Sequence, residues 1–428
     1  MALFDRSHTD NLLAYIAAAP TPYHAVAESA ALLDKGGFRR LSETAAWDGQ
    51  SGGQYVIRGG ALVAWYLPEG AEPSRPFRIM GSHTDSPNLR VKPRPDTGVL
   101  GWRQIAVEVY GGILYNTWLD RDLGLAGRLA LRDGSELLVN VDRPLLRVPQ
   151  LAIHLDRGAN EGLKLNPQVH LTPVWGLGDP GEGELIEFLA AEYGLRPDEV
   201  LGWDLMVHDV APPAYLGRDA ELITASRLDN LISVHASTVA LLAAVEAGVG
   251  EGPIPLLAAM DHEENGSVST TGAAGPFLET VLERIVDSRG GGIDARARAY
   301  AGSVMASADL AHAVHPNYPE RHDSGHRPEA NGGPVLKVNA NQRYATDGAT
   351  RAVWARACEA AGIPWQIFVS RNDQPCGSTI GPLASSRIGI AAFDIGVPAL
   401  SMHSVRELCG ADDPWRLTAG LAAFLRLV

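Results

Sequence analysis

The stretch Ile254-Pro-Leu-Leu-Ala-Ala-Met-Asp-His-Glu-Glu264 decides the fold, because a wholly apolar run ends in two adjacent carboxylates. A continuous apolar run of this length predicts a strand covered on both faces, as in parallel sheets. Glu263 and Glu264 then lie where the strand meets a loop. Two ionised carboxylates at such a place cost free energy unless cations or a shared proton stabilise them. The alternative is a solvated acidic pair that opens a helix and favours its dipole.

Helix and strand patterns alternate on both sides of this run. Helical patterns cover residues 11–19, 25–35, 233–247 and 275–285, and strand patterns cover residues 61–67, 77–80, 301–306, 335–338, 365–369 and 391–395. Between about residues 93 and 221 the pattern changes to short strands separated by Gly, Asp and Pro turns. This order predicts an α/β domain, residues 1–92 plus 222–428, interrupted by a β-rich insertion over residues 93–221.

The bulk composition is that of an ordinary globular protein. Of the 428 residues, 46% are hydrophobic and 20% charged, and the net charge of −14 argues against nucleic acid or an anionic membrane as partner. Three cysteines without a C-x-x-C pair provide neither a disulfide framework nor a thiolate zinc site. From the sequence we expect neither a signal peptide nor an apolar segment of about 20 residues that spans a bilayer. We therefore expect a cytoplasmic protein with no membrane partner.

Further metal-ligand residue types follow other predicted strands or precede a helix. His83 and Asp85 come directly after one strand, Asp309 follows another, and His403 follows the strand near residue 391. Asp229 precedes the long helix, where a helix cap is its default role. Each residue alone has a structural interpretation. Together with the acidic doublet they provide two histidines and five carboxylates, enough for the two histidines and three carboxylates that can hold two zinc ions about 3.5–4 Å apart.

Four longer motifs contain residues of this set, and two further motifs accompany them. They are Gly81-Ser-His-Thr-Asp-Ser-Pro87, Ser226-Arg-Leu-Asp-Asn230, Ser307-Ala-Asp-Leu-Ala-His312, Leu336-Lys-Val-Asn-Ala-Asn-Gln-Arg-Tyr344, Cys376-Gly-Ser-Thr-Ile-Gly-Pro382 and Met402-His-Ser-Val-Arg-Glu407. This set resembles the M18 family of metalloaminopeptidases, the aspartyl aminopeptidase group of the di-zinc exopeptidases. The resemblance extends over nearly the whole chain, including Arg147-Val-Pro-Gln-Leu-Ala-Ile-His-Leu155 in the insertion.

The resemblance implies a di-zinc exopeptidase-type α/β/α catalytic domain and two zinc ions per subunit, with cobalt or manganese as substitutes. It assigns Glu263 as the general base and Asp85 as the carboxylate that orients His83. The ligands it implies are His83 and Asp309 for one ion, Glu264 and His403 for the other, and Asp229 as the bridge.

The resemblance also implies a substrate and an assembly. The substrate is a peptide with a free N-terminus, and its first residue is preferably Asp or Glu. The side chain of that residue would contact Lys337 and Tyr344. An exposed strand lysine is the plainer interpretation of Lys337. His170 would complete the active site of a neighbouring subunit, within dimers that build a dodecamer.

Two rival functions remain open at this stage. A di-zinc carboxypeptidase or deacylase would need an anchor, typically arginine, for a substrate's C-terminal carboxylate. A catalytically idle zinc-binding scaffold would have lost the base or a ligand, and every such residue is present in the sequence.

Overall fold

The computed structural model describes residues 5–427. The helices in this part are α1 Arg6–Ala18, α2 Pro22–Lys35, α3 Ala159–Gly162, α4 Pro167–His170, α5 Glu184–Tyr193, α6 Leu228–Glu246, α7 Phe277–Ser288, α8 Ile293–Ala301, α9 Gly348–Ala361, α10 Ile380–Ile388 and α11 Asp413–Leu425. The strands are β1 Arg39–Arg40, β2 Gly52–Arg58, β3 Ala61–Leu67, β4 Phe77–His83, β5 Asn88–Val99, β6 Trp102–Tyr110, β7 Leu123–Leu131, β8 Glu136–Leu146, β9 Val174–Leu177, β10 Val200–Asp209, β11 Ala214–Leu216, β12 Leu222–Ala225, β13 Ile254–Met260, β14 Val304–Ala308, β15 Ala311–His312, β16 Val335–Val338, β17 Gln366–Val369, β18 Ala391–Gly396, β19 Pro398–Leu400 and β20 Glu407–Gly410.

The chain divides into two compact units. The first contains the residues up to Asp85, Pro213–Met402 and the residues from Glu407 onward. The second contains Ser86–Pro212 together with the short segment His403–Arg406. The chain therefore passes between the units four times. No sequence pattern predicted that the four-residue segment belongs to the second unit.

A nine-stranded sheet, in the order β1-β2-β3-β13-β4-β14-β18-β16-β17, forms the centre of the first unit. The middle strands β13, β4, β14 and β18 are parallel neighbours. All seven residues of β13 are buried, as the apolar run predicts. Leu257 belongs to a core cluster shared with α1, α2, α6, α9 and α11, whereas Leu256 belongs to a second cluster shared with α7, α8 and α10. Helices thus cover both faces, which confirms the predicted α/β/α architecture.

Helix α6 is the most apolar helix of the first unit. It is long and apolar enough to cross a membrane, but 78% of its apolar window is buried inside the protein. Its first turn is irregular, because Asp229 and Asn230 have non-helical backbone angles. The side chain of Asp229 therefore points in a direction different from the one it would have in a regular helical turn.

The second unit is built on a six-stranded antiparallel sheet in the order β8-β7-β10-β5-β6-β9. Its own core contains Leu89, Ile105, Leu125 and Leu205, and Val405 of the short segment packs into the same core. A small five-stranded sheet, β11-β12-β20-β19-β15, completes the first unit.

Candidate metal centre

The carboxyl ends of three neighbouring parallel strands meet at one edge of the large sheet. Strand β4 ends at His83, whose register partner is Met260, the last residue of β13. Glu263 and Glu264 follow in the 3-10 turn Glu263–Asn265. Asp309 follows directly after β14. Because ligand sites of open α/β sheets form at this edge, the fold itself brings the sequence-predicted residues together.

His83 lies at the centre of the cluster and is 1% exposed. Its Nδ1 lies 3.0 Å from the backbone carbonyl oxygen of Asp85, and a carbonyl can only accept a hydrogen bond. Nδ1 therefore carries the hydrogen. Nε2 points to the carboxylates of Asp229, at 3.2 Å, and Asp309, at 3.5 Å. This is the arrangement in which Nε2 can bind a metal while Nδ1 is fixed from behind.

The chemistry of the donor set fits a divalent cation. Ligand atoms of His83, Asp229 and Asp309 lie within 4.8 Å of one another, and so do those of His83, Glu263 and Glu264. Burial acts to lower the pKa of His83, but its hydrogen bonds to surrounding carboxylates outweigh burial and raise the pKa well above the usual value. Imidazole nitrogen and carboxylate oxygen are ligands that zinc accepts.

The carboxylate of Asp85 binds the turn that carries the acidic doublet. It accepts hydrogen bonds from the backbone amides of Glu263 and Glu264, each at 3.1 Å, with one oxygen for each amide. Its Oδ1 also lies 3.4 Å from Nδ1 of His83. Asp85 is 1% exposed, so these contacts are shielded from water. The side chain expected to orient His83 therefore also fixes the positions of both glutamates.

Glu263 has the electrostatics of a proton acceptor. Burial raises its pKa to about 7, the positive charge on His83 opposes this shift, and the carboxylates of Asp309, Asp229 and Asp85 reinforce it. A cation bound nearby would lower the pKa again. Glu263 thus lies in a buried acidic cluster whose mutual repulsion either a proton or a nearby cation can offset.

Lys337 is buried instead of being an exposed strand lysine, with 2% of its surface exposed. Its Nζ donates hydrogen bonds to the carbonyls of Asp309, at 3.1 Å, and Leu310, at 3.0 Å. It also lies 3.5 Å from the Asp309 carboxylate and 5.2 Å from the centre of the Tyr344 ring. In this structure the ammonium holds the loop that carries Asp309.

A polar cavity of about 280 Å³ opens within the first unit beside these residues. Its lining includes Tyr344 together with His312, Arg321, Arg371 and Cys376. Both arginines are paired with neighbouring carboxylates, Arg371 with Asp373 at 2.5 Å and Arg321 with Glu320 at 4.0 Å. Tyr344 thus lies beside a cavity, and the side-chain recognition predicted for it stays a prediction.

Two predicted site residues belong to the second unit. His403 begins the segment His403–Arg406, and its Nδ1 lies 3.0 Å from the carbonyl oxygen of Gly112. His170 is exposed at the end of α4, where its Nδ1 accepts a hydrogen bond from the amide of Asn166. Their roles as zinc ligand and as contributor to a neighbouring subunit stay predictions.

Glu407 is a site residue that the sequence interpretation missed. It is 1% exposed, and its carboxylate accepts a hydrogen bond of 2.9 Å from the backbone amide of Asp229. This contact fixes the irregular first turn of α6 from which the Asp229 side chain extends. The available signal was a glutamate at the end of the Met402–Glu407 motif, at the start of a short strand.

A buried imidazole among carboxylates, at the carboxyl edge of an α/β sheet, defines the class of metal-dependent hydrolases. The M18 family model, described as aminopeptidase I zinc metalloprotease, matches residues 15–425. A Streptomyces coelicolor protein described as probable M18 family aminopeptidase 2 is 65% identical, over 99% of this chain and 98% of that protein. The chain therefore belongs to the M18 family of zinc metalloaminopeptidases, which confirms the resemblance.

Solved structures agree with this assignment. A structure of the Ape4 and Nbr1 complex matches with a TM-score of 0.95 and 36% identity, over 98% of this chain and 85% of that one. The mApe1 dodecamer of S. cerevisiae matches with a TM-score of 0.86 and 28% identity, over 98% and 96% of the two chains.

Proposed function

We propose that this chain is a two-zinc aminopeptidase that removes the N-terminal residue of peptides, with preference for Asp and Glu. The observation that carries the proposal is the cluster in which His83 meets Asp229 and Asp309 while Glu263 lies beside them. A rival carboxypeptidase or deacylase would share the cluster but release a different product.

In this proposal His83 and Asp309 would hold one zinc ion, Glu264 and His403 would hold the other, and Asp229 would be a ligand of both. When bound, the ions supply a water of lowered pKa and polarise the scissile carbonyl. Glu263 accepts the proton of the attacking water and delivers it to the leaving amine. Asp85 keeps Glu263 in place through the amide that it binds. The two neighbouring glutamates thus have opposite tasks, because Glu264 stays ionised while Glu263 gains and loses a proton.

The preference for acidic residues is supported by positive charge near the cavity. Arg321 and Arg371 line it, each beside an acidic residue (Glu320 and Asp373) that offsets part of its charge. The Lys337 ammonium lies 5.2 Å from the centre of the Tyr344 ring. A substrate carboxylate would be attracted to this side of the site. For direct contact, Lys337 must exchange one of its present bonds for the substrate.

Self-association is part of the proposal because the related mApe1 forms a dodecamer. In a comparable assembly His170 would reach the active site of a neighbouring subunit. The proposed compartment is the cytoplasm, in keeping with the free thiols of Cys358, Cys376 and Cys409.

The experiment is a release assay on zinc-loaded protein with a peptide series X-Ala-Ala-Leu, in which X is Asp, Glu, Leu or Ala. Mass spectrometry should show loss of X alone, fastest for Asp and Glu, and chelation should stop turnover. Removal of leucine from the C-terminus would support the carboxypeptidase instead. Zinc binding without turnover on any peptide would support the idle scaffold.

A further inference from the structure

The segment His403–Arg406 folds as part of the second unit although both of its neighbours, Met402 and Glu407, belong to the first. We propose that the second unit holds His403 in its ligand orientation, with Gly112, Thr117 and Arg406 as positioning residues. This inference rests on the proposed function, in which His403 binds zinc. It gives the insertion a task in metal binding that is separate from assembly.

The ring of His403 is fixed by the backbone of the second unit. Its Nδ1 donates a hydrogen bond to the carbonyl oxygen of Gly112 at 3.0 Å, because the carbonyl can only accept. The neutral ring therefore has its lone pair on Nε2, the atom left to bind a metal. A Cβ at residue 112 would lie 3.3 Å from Nδ1 of His403, so the absence of a side chain permits this close approach.

The backbone of His403 needs support of its own. Its φ of +66° lies in the left-handed region, which is unfavourable for a residue other than glycine. The amide of Leu114 donates a hydrogen bond of 3.1 Å to the carbonyl oxygen of His403. The loop of the second unit that binds the ring thus also binds the strained peptide.

The C-terminal half of the segment, Val405 and Arg406, is anchored in the same unit. Val405 is 6% exposed within the core of the second unit, and its amide donates to Oγ1 of Thr117 at 3.0 Å. The guanidinium of Arg406 donates to the carbonyls of Ala211, at 3.0 Å, and Pro212, at 2.7 Å. These contacts leave the segment little freedom to turn His403 away.

The buried carboxylate of Asp209, between two partly exposed arginines, reinforces the anchor at Arg406. The carboxylate of Asp209, 6% exposed as a residue, lies 2.6 Å from Arg121 and 3.9 Å from Arg406. Ser404 closes the turn, since its hydroxyl donates to the Arg406 carbonyl at 2.6 Å. Loss of a partner that orients a metal-bound histidine typically weakens metal binding by about 10–100-fold. We expect the same range for zinc at the His403 site.

The test measures zinc binding by competition with a chromogenic chelator in the full-length chain. Gly112→Ala crowds the His403 ring, and Arg406→Ala removes the anchor. Arg132→Ala is the matched control, because Arg132 also donates two bonds to a backbone carbonyl of the second unit, that of Asp198. His403→Ala defines complete loss of the site. Thermal unfolding of the metal-free proteins checks that each variant is folded. If Arg406→Ala does not fold, Arg406→Lys provides a milder substitution.

The expected result is two zinc ions in the wild type, one of which binds about 10–100-fold more weakly in Gly112→Ala and Arg406→Ala. Arg132→Ala should bind both as the wild type does, and Arg406→Lys should recover part of the affinity. In the cobalt-substituted protein, the visible spectrum of the weakened site should change. Wild-type affinity in Gly112→Ala and in a folded Arg406 variant would overturn the inference while leaving the proposed function intact. If His403→Ala itself retained both ions, the ligand assignment of the proposed function would fail.

Discussion

At the scale of single residues, the acidic doublet separates into a base and a ligand. Replacing Glu263 with Gln keeps the size of the side chain but removes its ability to accept a proton. We expect kcat to fall by about 10²–10⁴-fold, the usual contribution of a general base, with zinc content unchanged. Steady-state kinetics and metal analysis of the purified variant give both quantities. A variant with wild-type kcat would show that another group accepts the proton.

Asp85 offers a test of how the doublet is positioned. In Asp85→Asn the new side-chain amide has a single oxygen, so it can accept only one of the two backbone amides, and its NH₂ group faces the other. We expect kcat to fall by about 10–100-fold, because the turn carrying Glu263 and Glu264 loosens. Asp133→Asn is the control, since Asp133 accepts the amide of Ser135 in an exposed turn of the second unit. Unchanged kcat in Asp85→Asn would mean that these two bonds do not position the base.

Lys337 tests the proposed preference for acidic substrates. Lys337→Ala should reduce kcat/KM for Asp and Glu peptides far more than for Leu and Ala peptides, because only the acidic side chains lose a cationic partner. An equal loss on all four peptides would assign Lys337 solely to holding the Asp309 loop through its two carbonyl bonds. Lys35→Ala, at the exposed end of α2, is the control.

The sequence predicted which residues gather at this site more completely than how they are held. His83, Glu263, Glu264 and Asp309 each follow a buried strand, and neighbouring parallel strands bring such positions together. The two amides on Asp85 and the amide of Asp229 on Glu407 were beyond prediction, because they depend on backbone direction in irregular turns. The burial of Lys337 depends on the carbonyls of a loop distant in sequence.

At the scale of elements, patterns predicted the strands that are buried on both faces better than the ends of helices. Strand β13 has the bounds of its apolar run. Helix α6, in contrast, begins at Leu228 instead of residue 233. Its first turn carries Asp229, which has non-helical angles and a hydrogen bond to Glu407. The start of α6 is therefore set by tertiary contacts, which a local sequence pattern does not contain.

Helix α1 makes a contact that should respond to acid. Its His8 is 6% exposed, bonds to Thr418 of α11 and lies 4.8 Å from the ring of His235. Burial lowers the pKa of His8 to about 4, with a smaller opposing effect of Asp5. Because the folded pKa lies below the unfolded value, the stabilisation is complete above pH 6.5 and is lost as the pH falls toward 4. Full loss corresponds to about 3 kcal/mol.

Urea unfolding at pH 7.0, 6.0 and 5.0 measures this dependence. The free energy of unfolding should decrease toward pH 5.0 in the wild type. His8→Gln, which keeps a polar group near Thr418, should be less stable at pH 7.0 but should lose less on acidification. His235 is also buried with a lowered pKa, so the slope should be reduced and not abolished. An unchanged slope in His8→Gln would exclude His8 as a source of the acid response.

At the scale of the whole molecule, the division into units shows how far sequence patterns reach. The patterns placed the insertion at residues 93–221, whereas the second compact unit begins at Ser86 and ends at Pro212. The prolines near residue 93 lie inside β5, beside a register shift between Val91 and Asp96. Prolines at a strand irregularity and prolines at a domain boundary look alike in sequence. The segment His403–Arg406 has only four residues, too few to form a recognisable hydrophobic or turn pattern in the sequence.

The surface of the second unit bears directly on assembly. Leu151, Leu155 and Val169 are 56%, 75% and 64% exposed, all within one stretch of the insertion. Large apolar side chains grouped in this way are typical of a surface that a partner covers. The proposed partner is a further copy of the same chain, as in the related dodecamer. Replacing Leu151 and Leu155 together with Asp should therefore reduce the mass of the assembly, because burying the new carboxylates is unfavourable.

Sedimentation velocity of the wild type should show a species far larger than the 45.6 kDa chain, with a dodecamer as the largest closed form expected. The Leu151→Asp/Leu155→Asp variant should sediment as smaller species with unchanged circular dichroism. Ile293→Asp is the matched control, because Ile293 is 79% exposed but belongs to the first unit. If the double variant kept the wild-type mass, this apolar stretch would not be the interface. If His170 acts on a neighbouring subunit, the smaller species should also lose activity while they retain zinc. If the interface is purely structural, the activity per chain should stay unchanged.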